Sequence, residues 1–304
     1  MSTIDDLLTQ NDYNLFKRDG YLLIRGAIDD RAFLDDLETE IDIINADVRR
    51  GGYDKYKGEK IDETNHLIFP NFITRARPFM DLTIAPKVLP KIWGILGWNI
   101  YCYYSDLAVT PPYLKNSSTI PPTQIIRDWH KDSGRVNCEV KNNEQLSIKV
   151  AYFISDCDKK GMGNMYVVPG SHNEGSKADF NDAHNLILNS LSITQDQLHW
   201  KLRHRSKSIE AIKANRGDAL LFDRRLWHSR SKNLSDVTRK VLFYGYCYRW
   251  LVGQKYQETL STAVYGRKLP PILRRMLGID STADNVYYPS EDVVPLRQYI
   301  KRVR

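Results

Sequence analysis

Cysteine is scarce: 304 residues hold four, Cys102, Cys138, Cys157 and Cys247, and none forms a C-x-x-C pair. That pattern argues against a structural zinc site and a disulfide framework, and it suits a reducing compartment. Long apolar runs are missing too. None approaches the roughly 20 residues that cross a bilayer, and the N-terminus, MSTIDDLLTQND, is acidic where a leader would be basic and then apolar. The expectation is a cytoplasmic protein without a membrane partner. Dense basic tracts are absent apart from a short cluster at 201–207 and the C-terminal tail. The net charge of +7, from 44 basic and 37 acidic residues, is a mild excess. It suits anionic small molecules and leaves no clear nucleic-acid footprint. Neither an internal repeat nor a low-complexity segment is visible.

What is present is the make-up of a folded chain with a sizeable core: 42% hydrophobic and 11% aromatic residues, including 18 Tyr and 6 Trp. Residues 3–18 read as a short helix and Tyr21–Ile24 as a strand. A second helix is capped by Asp29, carries Phe33, Leu34, Leu37, Ile41 and Ile44 on one face, and stops at Gly51-Gly52. From Asn99 the texture changes to short β-like runs: Ile100–Val109, Ile125–Asp132, Leu146–Ser155, Asn164–Val168, Ser208–Ile212, Ala219–Phe222 and Val241–Tyr248. Such spacing predicts a sandwich or barrel. Residues 111–123 and 172–200 are long connections, a length usually reserved for function. The chain is expected to be a single domain, with N-terminal helices to about 98, a β core over 99–250 and a helical, basic extension from 251.

The chemistry starts at WHKDSG, residues 129–134. Residues two apart on a strand share a face, so His130 and Asp132 are expected to project together. An imidazole and a carboxylate make two-thirds of a 2-His-1-carboxylate site, which holds Fe(II) and leaves three positions open. Alone, H-x-D is an ordinary tripeptide. A second imidazole is available in GDALLFDRRLWHSRSKNLSDVTR, where His228 follows a predicted strand. Arg239, at the start of the next apolar run, is the right group to grip a carboxylate with two parallel N–H groups.

These pieces, in this order, resemble the phytanoyl-CoA dioxygenase family. The resemblance rests on FKRDGYLLIRGAID, WHKD, LSIKVAYFISD, GNMYVVPGSH, GDALLFD and His228 followed by NLSDVTR, and runs from about residue 12 to 250. It implies a double-stranded β-helix (jelly roll, cupin-like) with flanking helices. It also implies Fe(II) on His130, Asp132 and His228, O2 as oxidant, and the co-substrate 2-oxoglutarate with its far carboxylate on Arg239. Tyr104 stands where some relatives place a polar co-substrate contact, and Ala108 where some have Asn. Arg230 stands where relatives often place Ser, with Ser229 and Ser231 beside it.

Gln124 shares the side of His130 and is either a co-substrate contact or a plain strand amide. Lys149 either pairs with a carboxylate inside the barrel or snorkels to the rim, the preferred placement. Asp106 shares a face with Tyr104, where a structural salt bridge is its expected role. His172 is expected in a turn, and His66, His184, His199 and His204 have no assigned partner. Two competing readings remain: a cupin-like hydrolase or isomerase on another metal, and a non-catalytic jelly roll in which the three ligands never converge. The substrate, a small molecule, and the oligomeric state are not legible.

Overall fold

Alternation along the strands, with one side chain toward the helices and the next toward a second sheet, organises the chain. The computed structural model describes residues 8–113, 126–133, 136, 138–139, 142–173, 209–251 and 268–278. Its helices are α1 (Gln10–Asp19), α2 (Arg31–Arg50), α3 (Arg77–Leu82), α4 (Leu89–Leu96) and α5 (Pro271–Met276). Its strands are β1 (Tyr21–Ile24), β2 (Tyr53–Asp54), β3 (Glu59–Lys60), β4 (Leu67–Pro70), β5 (Ile100–Thr110), β6 (Ile126–His130), β7 (Ser147–Phe153), β8 (Met165–Val167), β9 (Glu210–Ala211), β10 (Ala219–Asp223), β11 (His228–Ser231) and β12 (Arg239–Tyr248).

The second helix forms where expected, one residue later at its start. Asp30, not Asp29, caps it by accepting from the Phe33 N–H at 3.1 Å. Asp29 instead pairs with Lys87 at 3.0 Å. Leu34, Leu37, Ile41 and Ile44 form the buried stripe. Full burial of each such side chain contributes about 1.5–3 kcal/mol. In α1, Thr9 and Asp12 form a reciprocal capping box, and Gly20 ends the helix at φ +83°, a conformation glycine adopts without strain.

One sheet has six strands in the order β1-β10-β7-β12-β5-β4, and a second has four in the order β6-β11-β8-β9. All of these pairs are antiparallel. From β5 to β12 the chain passes repeatedly between the two sheets, which is the double-stranded β-helix arrangement. Strand β7 shows why every one of its residues is buried. Ile148, Val150 and Tyr152 pack on the helical layer, while Ala151 and Phe153 pack toward the second sheet. Three tyrosines on the helix-facing side tie sheet to helix. Tyr244, Tyr152 and Tyr246 donate to the carbonyls of Phe79 (2.9 Å), Leu82 (3.3 Å) and Thr83 (2.9 Å). Those carbonyls sit at the end of α3, where helical bonding runs out; the Leu82 carbonyl also accepts from the Ala85 N–H at 3.2 Å. Helix α5 adds Ile272, Leu273 and Met276 to the same core. Among the described residues no helix is long and apolar enough to cross a membrane.

Candidate active site

Strands β6 and β11 bring the three expected ligands together. His130 is the last residue of β6 and His228 the first of β11, and the two are register partners. Asp132 lies beyond the strand, in a turn, so shared strand parity is not what aims it. The turn is clamped instead. The Asp132 N–H donates to the Arg224 carbonyl at 2.9 Å, and the Arg224 Nη2 donates back to the Asp132 carbonyl at 3.0 Å. The result places His130 Nε2 3.6 Å from Asp132 Oδ1 and His228 Nε2 3.7 Å from Asp132 Oδ2. Ligand atoms of all three lie within 4.8 Å of one another. The Nδ1 of His228 faces the Leu226 carbonyl at 2.9 Å. With the proton there, the Nε2 lone pair is directed at the carboxylate side, the tautomer a metal needs. Burial, helped by the neighbouring His130, pushes the His228 imidazole down to about 4, so it stays neutral.

Lys149 completes the electrostatics. Its Nζ sits 2.9 Å from Asp132 Oδ2, inside the site and not at the rim. The preferred snorkelling placement is therefore wrong, because a carboxylate waits within reach and outweighs the cost of burial. Burial alone would raise the Asp132 carboxyl. The Lys149 ammonium, by its charge and its hydrogen bond, holds it well below the usual carboxylate range. The Lys149 ammonium also lies 4.0 Å over the Tyr104 ring. The Tyr104 hydroxyl donates to Asp106. Burial lifts the Asp106 carboxyl to about 6 despite that bond and the nearby Lys149.

The ligands open onto a cavity of about 300 Å³ that Arg239, Arg230, His66, Tyr104, Asp106 and Lys149 also line. Arg239 is 2% exposed, and its Nε and Nη1 have no hydrogen-bond partner. A buried guanidinium with idle N–H groups is costly to fold around. Its geometry and charge fit a carboxylate arriving with a ligand. Gly163, at φ +70°, makes room for it: a Cβ there would lie 2.9 Å from Arg239 Cδ. The cavity thus joins three metal-type ligands to a cation that has the Cys157 thiol beside it and, among the described residues, no carboxylate partner, and the residues fit both a metal and a dicarboxylate co-substrate.

The sequence profile of the family described as phytanoyl-CoA dioxygenase (PhyH) matches residues 16–241. The chain belongs to this family. No curated protein matches it significantly in sequence. Solved structures that share its fold include EctD from S. alaskensis with bound Fe, at 17% identity and TM-score 0.59 over 82% of this chain and 80% of that one. HygX from Streptomyces hygroscopicus, with nickel and 2-oxoglutarate bound, has 13% identity and TM-score 0.57 over 82% and 90%. The 2-oxoglutarate-dependent carbocyclase SnoK, from nogalamycin biosynthesis, has 17% identity and TM-score 0.56 over 81% and 86%. Membership makes this chain an iron- and 2-oxoglutarate-dependent dioxygenase-type oxidoreductase. The hydrolase reading loses its ground, and convergence of the ligands removes the basis of the non-catalytic one.

Against that phytanoyl-CoA dioxygenase frame, the remaining expected contacts divide. Tyr104 and Lys149 line the cavity, but their polar atoms are engaged with Asp106 and Asp132. Ser231 is not among the lining residues. Its hydroxyl donates to the Lys232 carbonyl at 3.0 Å, and Ser229 and Arg230 line the cavity in its stead. Asp106 also lines the cavity, where a structural salt bridge was expected. Gln124, His184, His199 and His204 lie outside the described residues, as do most of both long connections. His172 falls in a short 3-10 turn, as expected. Two residues escaped sequence reasoning. Arg224 holds the Asp132 turn, and the only signal was an Arg-Arg pair directly after a buried strand. His66, on the cavity wall, bonds the Thr110 hydroxyl at 2.9 Å and the Val109 carbonyl at 3.1 Å. Burial, then the Arg230 guanidinium, holds it neutral well below its ordinary value.

Proposed function

We propose that this protein, acting as one domain, oxidises an unactivated C–H bond of a small-molecule metabolite, most simply by hydroxylation. Succinate and CO2 would be the co-products of 2-oxoglutarate. The observation that carries the reading is Arg239, buried in the wall of the cavity that holds the triad with two idle N–H positions and, among the described residues, no carboxylate partner. Fe(II) bound by His130, Asp132 and His228 would offer three open positions to 2-oxoglutarate and O2 and would supply the oxidising power.

The chain's own residues do the rest. Leu226 orients the His228 ring through its carbonyl. Lys149 pairs with Oδ2 of Asp132 and keeps the carboxylate ionised and fixed in place. Arg239 binds the far carboxylate of the co-substrate and fixes its direction along the cavity. His66, kept neutral, adds no charge beside the two arginines. The retained carboxylate at Asp132 argues against halogenation, which needs that position empty for a halide. The natural-product enzyme among the similar structures supports a metabolite substrate.

The test is Fe(II)- and O2-dependent formation of succinate from 2-oxoglutarate by purified protein, with candidate metabolites present and absent. The reading fails if Fe(II) addition yields none in any mixture while Asp132→Ala binds iron as well as wild type.

A further inference from the structure

A second cavity, of about 540 Å³, lies between α2, the β2–β3 hairpin and β4. Tyr56 and Ile68 line it and also line the triad cavity, so the two share a wall. Cavities for single small ligands run roughly from 300 to 1,000 Å³. The triad cavity, at about 300 Å³, has a metal and a co-substrate to accommodate first. The larger neighbour is where the bulk of a substrate finds room.

The lining says what kind of substrate. Ile44 and Val48 from α2 face Phe69 and Pro70 from β4, which gives an apolar slot. Asp47, Lys55 and Arg75 stand exposed along its rim, and one buried polar group lies within it. Asp54 lines the slot yet is 2% exposed. Its Oδ1 accepts from the N–H groups of Tyr56 (2.9 Å) and Lys57 (3.1 Å), which fixes the carboxylate on the hairpin. Its Oδ2 has no hydrogen-bond partner. A buried acceptor left idle is unfavourable until a donor arrives.

We infer that this second cavity binds the body of the substrate, an apolar-bodied metabolite bearing a hydroxyl or amine that donates to Asp54. Its reactive carbon reaches the triad cavity past Tyr56 and Ile68. The inference rests on the dioxygenase reading and narrows its substrate class.

A suitable probe is 1-aminoanthracene, a flat apolar molecule with one amine, whose fluorescence rises in apolar surroundings. Full-length protein loaded with Mn(II) and 2-oxoglutarate is titrated with it. Wild type should bind the probe. Val48→Trp, which fills the slot from the helix side, should weaken binding about tenfold or more, given the contact area it removes. Asp54→Asn keeps the Oδ1 acceptor for the hairpin but turns an N–H toward the probe's amine. It should weaken binding roughly fivefold to tenfold through the lost charge-assisted bond. Paramagnetic Mn(II) should also broaden the bound probe's proton resonances relative to Zn(II), as adjacency requires.

No binding by wild type, unchanged binding by folded Val48→Trp or Asp54→Asn, or no broadening each overturns the inference. Co-substrate binding to the same wild-type samples without probe is read separately. Its absence sinks the dioxygenase reading, whereas intact co-substrate binding beside unaffected variants sinks this one alone.

Discussion

Replacing Arg239 with Met should move two measurements in opposite directions. Without ligand, the wild-type protein carries a 2%-exposed guanidinium whose Nε and Nη1 are idle. Met keeps most of the stem length beside Gly163 and deletes the charge. Exchanging a buried, poorly satisfied ion for an apolar side chain of similar volume typically stabilises by about 1–4 kcal/mol. Ligand-free Arg239→Met should therefore melt at a higher temperature than wild type. Co-substrate binding should move the other way. Losing one partner of a buried charge pair costs about 3–5 kcal/mol, which is roughly a hundredfold to several-thousandfold in affinity. Thermal denaturation with Ni(II) in place of Fe(II), with and without 2-oxoglutarate, reads both effects in one experiment. For wild type, ligand at 100 times its Kd should add about 2.7 kcal/mol, a rise of several degrees. For the variant at the same concentration the rise should vanish. A variant that melts lower without ligand and still shows the full rise would refute the assignment of Arg239 as a carboxylate clamp.

Lys149→Met should weaken Fe(II) binding about tenfold to a hundredfold, because groups that orient a ligating carboxylate tune its affinity by that amount. Anaerobic Fe(II) titration measures it, and an unchanged affinity would mean that the Lys149–Asp132 pair is only structural. Burial pushes the His172 imidazole down to about 4 from its ordinary 6.5. Between those values the unfolded chain holds a proton that the folded chain does not. Stability should therefore fall as pH drops from about 6.5 to about 4, by up to about 3 kcal/mol. Urea unfolding across that window should show a shallower slope for His172→Asn, and equal slopes would count against it. Tyr246→Phe removes the donor to the Thr83 carbonyl and leaves that buried acceptor idle, at a cost of about 1–3 kcal/mol. Denaturant midpoints at unchanged m-value would show it.

Much of the fold could be read ahead of the structure because alternation and turn residues are local signals. The apolar stripe of α2 and the runs that became β5, β7, β10 and β12 are of this kind. Strand β11 was missed because HSRS has no apolar alternation; its pairing with β6 and β8 is what makes it a strand. The ligands were legible as residue types and spacing. What aims Asp132 was not, since an arginine almost a hundred residues away in the chain closes its turn. Lys149 was misplaced for a related reason. Snorkelling is the default for a lone lysine on an apolar strand, and only the tertiary position of Asp132 overrides it. Tyr104 could be placed on the correct face, but its bond to Asp106 depends on rotamers that no sequence pattern reports. Asp54 gave no signal at all, because nothing in YDKYKG says that one carboxylate oxygen is buried and idle.

The register pairing of His130 with His228 has a consequence for the protein's lifetime. The two strands come from parts of the chain almost a hundred residues apart. An ion held between them acts as a removable cross-link that closes a very long loop. Loss of the ion therefore removes a staple along with a reactive centre, and it leaves the Asp132 carboxylate to the Lys149 ammonium. Metal-starved protein should open more often along the β6–β11 seam and be cut there first by proteases. Iron supply would then set how much of the protein persists, as well as how fast each copy turns over.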